Sequence, residues 1–405
     1  MSYRSLVRVA GSGFLLLGYL ARLPYAMCSL ATLILLQTAS GSYAFAGLAA
    51  GAQGMAIAVG GTVVGALADR YGHRAVATVM PVANLAAVVC LVAATACGRA
   101  SMLAAAALTG LTQPQVGPLV RVLWPRLLRA RDRQELLPTA MSYEAAADET
   151  SFVLGPALVG LLTPFATPIG PATAPAVGLV LLLAAATLPF ALYSSSPRGT
   201  GRPRKAIRQG RLPRRAMAGM FVSMAAMGAV LGAVQTGVTV SAADASQAGA
   251  AGLVYAEFGI GSALAGAVCA WLPAAFTQRR RLLVFAALLW AGTLCLLAGD
   301  LLHAVPVAVA AAGLTVAPYM ICLYTLTEQL APSSRAALAM TLLCAGGPLG
   351  TAAGQALAGS LAQRHGSTGA FAVAPLAAGS AFLLAVVLLL ADQGRGVWVA
   401  RPRRQ

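Results

Sequence analysis

The chain is 405 residues long, 59% hydrophobic and only 10% charged, with a mean hydropathy of +0.78. This composition excludes a soluble globular protein, because most of the chain must lie in lipid. The net charge of +17 would suggest nucleic-acid binding in a soluble protein, but here the basic residues fall between apolar runs, which indicates membrane topology instead.

Apolar runs that are long enough to cross a bilayer follow one another along the chain, since about 20 apolar residues span the hydrocarbon. The first run lacks a small-residue cleavage site and continues too far for a signal peptide, so we expect an uncleaved first span. We predict twelve helical spans, numbered in chain order, over residues 11–38, 43–67, 75–97, 101–124, 137–163, 173–194, 216–240, 248–273, 282–300, 304–326, 336–360 and 369–391.

The segment between spans 2 and 3 combines Gly65, Asp69, Arg70, Gly72 and Arg74. Its glycines allow close helix approach and a tight turn, and its arginines favour the inner membrane surface, as in any cytoplasmic loop. The segment also resembles the signature Gly-x-Leu-Ala-Asp-Arg-x-Gly-Arg-Arg/Lys of the major facilitator superfamily of transporters, with a histidine replacing the first basic residue of the final pair. The resemblance implies a gating loop that braces the two halves of the protein in one conformation.

An ionisable residue inside a span costs at least about 2.5–3.5 kcal/mol unless it faces a cavity or a partner. Arg22 lies at a similar depth in span 1 as Asp148 and Glu149 do in span 5. These two spans are neighbours in the superfamily, so we expect Arg22 to pair with one of the two acids. The other acid could then take up a proton, whereas in the alternative interpretation the buried pair only fixes helix packing.

Three further charged residues are assigned with alternatives. Glu144 shares a helical face with Asp148 and belongs either to the proton-coupling group or to an inner gate. Glu257 in span 8 is either a second proton or substrate site or a hydrogen-bonded residue at a water-filled mouth. Arg121, near the inner end of span 4, is expected to extend its guanidinium toward the membrane surface.

Span 5 ends in a stretch that contains Gly155, Pro156 and Gly160. This stretch is similar to the Gly-Pro motif that marks exporters of the superfamily. The resemblance implies a glycine-lined kink that packs span 5 against the other half of the protein, although proline and glycine are common in membrane helices generally.

The twelve spans form two sets of six that are separated by a segment rich in Arg, Lys, Pro and Gly. We therefore predict an all-α integral membrane protein with a six-helix bundle over residues 1–195, a cytoplasmic linker over 196–215, a second six-helix bundle over 216–391 and a cytoplasmic tail over 392–405. Gly47-Leu48 of span 2 and Ala140-Met141 of span 5 recur six spans later as Gly252-Leu253 and Ala339-Met340. These matches predict a parallel repeat, with two bundles facing each other across a central cavity.

Polar and aromatic residues at useful depth are candidates for lining that cavity, although each alone is more often a packing residue. The walls are otherwise apolar, which favours an apolar or amphipathic solute over a sugar. The candidate residues are Tyr25, Gln53, Gln113, Gln115, Gln235, Tyr255 and Tyr319.

The sequence therefore predicts a secondary transporter that resembles bacterial twelve-helix drug or metabolite exporters, working as a proton-coupled antiporter. Proton-coupled uptake, passive facilitation and a non-transporting sensor on the same fold are the alternatives. An enzyme is not expected, because the three histidines lie in separate loops and the seven cysteines stand singly. We expect no cofactor, metal or nucleic acid, and a monomer that binds a small solute and protons. We predict that both termini are cytoplasmic, because this orientation places all Lys and Arg residues on the inner side except Arg22, Arg99, Arg121 and Arg364. The membrane is predicted to be a bacterial inner membrane.

Overall fold

The computed structural model of the chain describes its helices and most of their connections, and its regular secondary structure is helical apart from one isolated bridge between Thr167 and Gly170. The residues described are 3–71, 73–114, 116–129, 131–165, 167–170, 172–194, 213–245, 247, 249–269, 272–273, 276–332 and 335–393.

Two compact units divide the chain. The first unit holds helices α1 to α10 and the start of α12, through Ala256; the second holds α11, the rest of α12 and α13 to α15. The helices of the first half are α1 (Tyr3–Ala10), α2 (Ser12–Leu20), α3 (Leu23–Ser40), α4 (Tyr43–Tyr71), α5 (His73–Ala94), α6 (Arg99–Leu111), α7 (Val116–Arg129), α8 (Leu137–Leu162), α9 (Ala174–Leu182) and α10 (Leu188–Ser194). Those of the second half are α11 (Arg214–Asp244), α12 (Ala250–Val268), α13 (Gln278–Leu301), α14 (Val305–Leu330) and α15 (Ala336–Gln393).

Ten helical stretches of the described chain are long and apolar enough to cross a membrane, so the protein is a multi-pass membrane protein. Predicted span 4 coincides with α6 and α7, which are each too short to qualify. Predicted spans 11 and 12 both lie in α15, which leaves helical geometry at Gly366, where φ is 61° and ψ is −150°. A crossing count of twelve therefore stays a prediction.

Small residues bring neighbouring helices of the second unit into backbone contact. A Cβ added to Gly228 of α11 would lie 2.2 Å from the carbonyl oxygen of Gly347, and one added to Gly350 of α15 would lie 1.8 Å from that of Ala225. Lipid provides no hydrophobic force between helices, so close van der Waals packing of this kind holds them together.

Three helices of the first unit are interrupted near their middle. Between α2 and α3, Pro24 lacks the N–H that would bond to the Leu20 carbonyl, and its ring crowds that carbonyl. Pro114 likewise separates α6 from α7. Between α9 and α10 the chain makes a π-helical turn over Leu183–Thr187. Thr187 Oγ1 of this turn donates a 3.3 Å hydrogen bond to the carbonyl of Ala21, which lies in the break between α2 and α3.

Candidate functional site

Arg22 lies at the break between α2 and α3, where the chain turns its side chain toward α8. Its side chain is only 4% exposed, and its Nη1 donates a 2.6 Å hydrogen bond to the carbonyl of Gly18. Its Nε donates to Asp148 Oδ1 at 2.8 Å, and its Nη2 donates to Glu144 Oε2. One guanidinium therefore binds two carboxylates that stand one turn apart on α8.

Each of the two carboxylates has a second donor from α7. Trp124 Nε1 donates a 2.8 Å hydrogen bond to Glu144 Oε1, and Arg121 Nη2 donates to Asp148 Oδ2. Trp124 and Arg121 are three residues apart and so lie on one face of α7. The four charged residues Arg22, Arg121, Glu144 and Asp148, which we call the charge cluster, join three helices and carry no net formal charge.

Exposure rises across the charge cluster from one end to the other. The side chains of Arg22 and Glu144 are 4% and 1% exposed, whereas those of Asp148 and Arg121 are 25% and 45% exposed. The Arg22–Glu144 pair therefore lies in a low-dielectric setting, where losing either partner is costly. The Asp148–Arg121 pair is less enclosed by the protein than the Arg22–Glu144 pair.

Aromatic side chains cover the buried end of the charge cluster. Phe14 of α2 packs edge-on against Trp124, with ring centroids 5.5 Å apart, and against Phe190 of α10 at 5.4 Å. The same apolar core includes Val120 and Ala140, which neighbour the cluster in sequence. This packing holds the indole that donates to Glu144.

Glu149 is half-buried on a different face of α8, and its carboxyl makes no hydrogen bond or ion pair with the described residues. Of the two acids expected as partners of Arg22, Asp148 is the one that it binds. Arg22 also binds Glu144, because residues four apart share a helix face and the guanidinium fork spans both. Whether Glu144 belongs to the proton-coupling group or to an inner gate stays a prediction.

The guanidinium of Arg121, which is 45% exposed, forms an ion pair with Asp148 that the sequence did not predict. The sequence analysis missed Arg121 and Trp124 as members of the cluster, although their spacing of three in an apolar helix was an available signal.

The polar cavity candidates of the first unit lie in different settings. Gln53 is fully buried, and its Nε2 donates to Thr109 at 2.7 Å, Thr32 at 3.0 Å and Cys28 at 3.1 Å, so it connects α4 with α6 and α3. Gln113 is buried beside Pro114, and neither its amide nitrogen nor its amide oxygen has a hydrogen-bond partner among the described residues. Tyr25 packs edge-on against Phe152 at 6.2 Å.

In the second unit, Gln235 of α11 accepts a hydrogen bond from Gln355 of α15. Tyr319 is fully buried in α14, and Tyr255 and Glu257 are half-buried in α12. Both Gln235 and Tyr319 are buried.

Glycines of α8 make close contacts within the first unit. A Cβ on Gly155 would lie 2.6 Å from the Cβ of Ala26 in α3, and one on Gly160 would lie 2.9 Å from the Cα of Gly252 in α12. Pro156 lies inside α8, which is assigned as one helix from Leu137 to Leu162.

Several predicted residues lie outside what the structure describes. Gly72 and Gln115 are not described at all, and neither are most of the predicted linker and tail. For Gly65, Asp69, Arg70 and Arg74, only the backbone is described. The backbone on either side of Gly72 is helical, with α4 ending at Tyr71 and α5 beginning at His73.

Comparison with known proteins gives a family match over the second half of the chain and a likeness in fold. Residues 216–404 match the family model described as Major Facilitator Superfamily, and no curated protein matches the sequence. The nucleoside transporter NupG is 14% identical, with a TM-score of 0.72 over 93% of this chain and 98% of that one. A bacterial homologue of the iron transporter ferroportin is 14% identical, with a TM-score of 0.71 over 94% and 98%. The D-xylose-proton symporter is 14% identical, with a TM-score of 0.60 over 99% and 98%.

Proposed function

We propose that this chain is a transporter of the major facilitator superfamily and not an enzyme. On that premise, we propose that it exchanges a small solute for protons across a membrane. The direction we propose is export, by alternating access of two six-helix bundles that together make twelve crossings. Uptake with a proton is the alternative, and the similarity to a protein named as a D-xylose-proton symporter favours proton coupling in either direction.

The observation that carries this proposal is the charge cluster together with its neighbour Glu149. Within the cluster, two arginines balance two carboxylates, so its members have partners for their charges. Glu149 follows Asp148 directly and adds a negative charge that no described cation neutralises. A half-buried carboxylate of this kind is costly in a membrane protein, and binding a proton removes that cost. We assign the transported proton to Glu149.

The cluster supplies a way to connect that proton to a change in conformation. A negative charge on Glu149 repels the carboxylate of Asp148, which the two arginines hold. Protonation of Glu149 removes this repulsion and tightens the hold of Arg121 and Arg22 on Asp148. Arg22 lies at the break between α2 and α3. A change in how tightly Arg22 binds Asp148 therefore acts at a point where Pro24 interrupts the backbone hydrogen bonds of the helix.

Export is supported by the Gly155 to Gly160 stretch, which is similar to an exporter motif and forms close glycine contacts with α3 and α12. The solute that we propose is apolar or amphipathic, because the spans expected to line the cavity consist mostly of Ala, Gly, Leu and Val apart from the candidate residues. We further propose a monomer in a bacterial inner membrane, with both termini in the cytoplasm and Gly65–Arg74 as the inner gating loop.

The test uses purified protein in proteoliposomes that contain a pH-sensitive dye, with tetraphenylphosphonium and neutral lipophilic drugs as probes. Solute-dependent proton movement is expected for the wild type and for Glu135→Gln, which alters an exposed carboxyl just before α8. Glu149→Gln is expected to abolish proton movement while solute still moves down its own gradient. Proton movement that persists in Glu149→Gln would contradict the assignment, and loss in Asp148→Asn alone would move it to Asp148.

A further inference from the structure

An apolar cavity opens in the second unit between the end of α12 and the helices α13 and α14. Its volume is about 320 Å³, roughly ten times the space that one water molecule takes in the liquid. It is lined by Leu264, Val268, Cys269, Phe285, Leu314 and Pro318, and its exposed lining is entirely apolar. Neither the charge cluster nor the proposed proton site includes any of these residues.

The cavity lies where α12 ends, since its lining includes Val268 and Cys269. Leu264, Val268 and Leu314 are exposed on the outer surface of the unit. In a membrane-spanning helix, such exposed apolar side chains face lipid.

Three consecutive arginines, Arg279 to Arg281, lie close by in sequence, and Arg281 reaches the carbonyl of Leu272, which lines the cavity. They open α13, whose first turn contains no acidic residue. Neither Arg280 nor Arg281 takes part in an ion pair with the described residues. This connection corresponds to the Gly65–Arg74 segment in the first half, but it has no residue that corresponds to Asp69.

Arg281 is fixed in place beside the cavity by neutral groups. Its Nε donates to the carbonyl of Phe276 at 2.8 Å, and its Nη2 donates to the carbonyls of Pro273 at 3.1 Å and Leu272 at 3.3 Å. Its guanidinium also lies 5.6 Å from the centroid of the Phe276 ring. Phe276 in turn packs edge-on against Phe285, which lines the cavity. These contacts hold the guanidinium without neutralising its charge.

We propose that this cavity, with Arg281 at its rim and the exposed Arg280 next to it in sequence, binds one anionic phospholipid of the surrounding bilayer. An acyl chain fills the apolar cavity, and the phosphate-containing headgroup accepts hydrogen bonds from the guanidinium groups. The acyl chain of such a lipid fits the apolar cavity, and its anionic headgroup fits the guanidinium groups. A soluble anion would leave the cavity empty, and a neutral lipid would leave the positive charge of the arginines without a counter-charge. The arrangement is pre-formed, because Arg281 is already immobilised.

The experiment measures lipid retention by native mass spectrometry of the purified full-length protein, with phosphatidylglycerol and phosphatidylcholine of identical acyl chains. Wild type is expected to retain phosphatidylglycerol preferentially. Arg280→Gln is expected to weaken phosphatidylglycerol retention roughly fivefold, and Arg280→Gln/Arg281→Gln to weaken it further, as for one or two arginines near an anionic surface. The matched control is Arg214→Gln/Arg215→Gln, which removes two exposed arginines from the start of α11 and is expected to leave retention unchanged.

A second variant separates cavity binding from attraction to any basic surface. Ala265→Phe places a bulky side chain at a residue that lines the cavity and leaves the arginines intact, and it is expected to reduce retention of both lipids. If the wild-type protein retained the two lipids equally, that result alone would overturn the proposal. Wild-type retention in Ala265→Phe, or an equal loss in the Arg214→Gln/Arg215→Gln control, would overturn it as well.

Discussion

Arg22 is the residue on which the charge cluster depends, because among the described residues its side chain alone forms ion pairs with both Glu144 and Asp148. Glu144 is almost fully buried and depends on Arg22 for its only ion pair among the described residues, while Asp148 keeps Arg121 if Arg22 is lost. Removal of Arg22 therefore leaves one buried, unpaired carboxylate. The free energy of unfolding that this unpaired carboxylate costs can be measured.

We expect Arg22→Met to destabilise the protein by about 3–5 kcal/mol, the usual cost of removing one partner of a buried ion pair. The double variant Arg22→Met/Glu144→Met is expected to recover much of this loss, because the remaining Arg121 and Asp148 still balance each other. Thermal unfolding in detergent, compared across wild type, both single variants and the double variant, measures the coupling. Additive losses in the double variant would show that Arg22 and Glu144 do not depend on each other.

At the scale of helices, glycine contacts determine how closely the elements approach. A Cβ on Gly252 of α12 would lie 2.1 Å from the carbonyl oxygen of Pro156 and 2.6 Å from the Cα of Gly160, both in α8. These are backbone atoms, which cannot rotate away as the end of a side chain can. The α8–α12 contact therefore tolerates nothing larger than glycine at this position without a shift of one helix.

Gly252→Ala is accordingly expected to destabilise the protein by about 1–3 kcal/mol through overpacking. The matched control is Gly13→Ala in α2, where an added Cβ meets no atom within 4 Å and alanine is the better helix former. The experiment compares the melting temperatures of the Gly252→Ala and Gly13→Ala variants in the same detergent. A Gly252→Ala protein as stable as Gly13→Ala would show that α8 and α12 are not packed as the structure has them.

At the scale of the whole molecule, orientation in the membrane follows from where the basic residues fall. Cys97 is exposed between α5 and α6, next to Arg99 in a connection predicted to lie outside. Cys269 follows α12 in a connection that leads to three arginines at the start of α13 and is predicted to lie inside. Two native cysteines thus report on opposite predicted sides.

A membrane-impermeant maleimide added to intact cells is expected to label a variant whose single cysteine is Cys97 and not one whose single cysteine is Cys269. A variant that retains only Cys28, which is buried in α3, serves as the unlabelled control. Labelling of the Cys269 variant in intact cells, with Cys97 protected, would reverse the predicted orientation.

The sequence by itself determined that this is a multi-pass helical membrane protein, because long apolar runs leave no other way to satisfy the backbone in lipid. It also identified Arg22 and the acids of span 5 as candidates, since charges in such runs are rare. Only the tertiary structure decided which of them meet. Helical periodicity places Glu144 and Asp148 on one face, but the break at Arg22, caused by Pro24, and the position of α7 decide that Arg22, Arg121 and Trp124 converge there. Contacts between helices distant in sequence depend on packing geometry, which a single sequence does not encode locally.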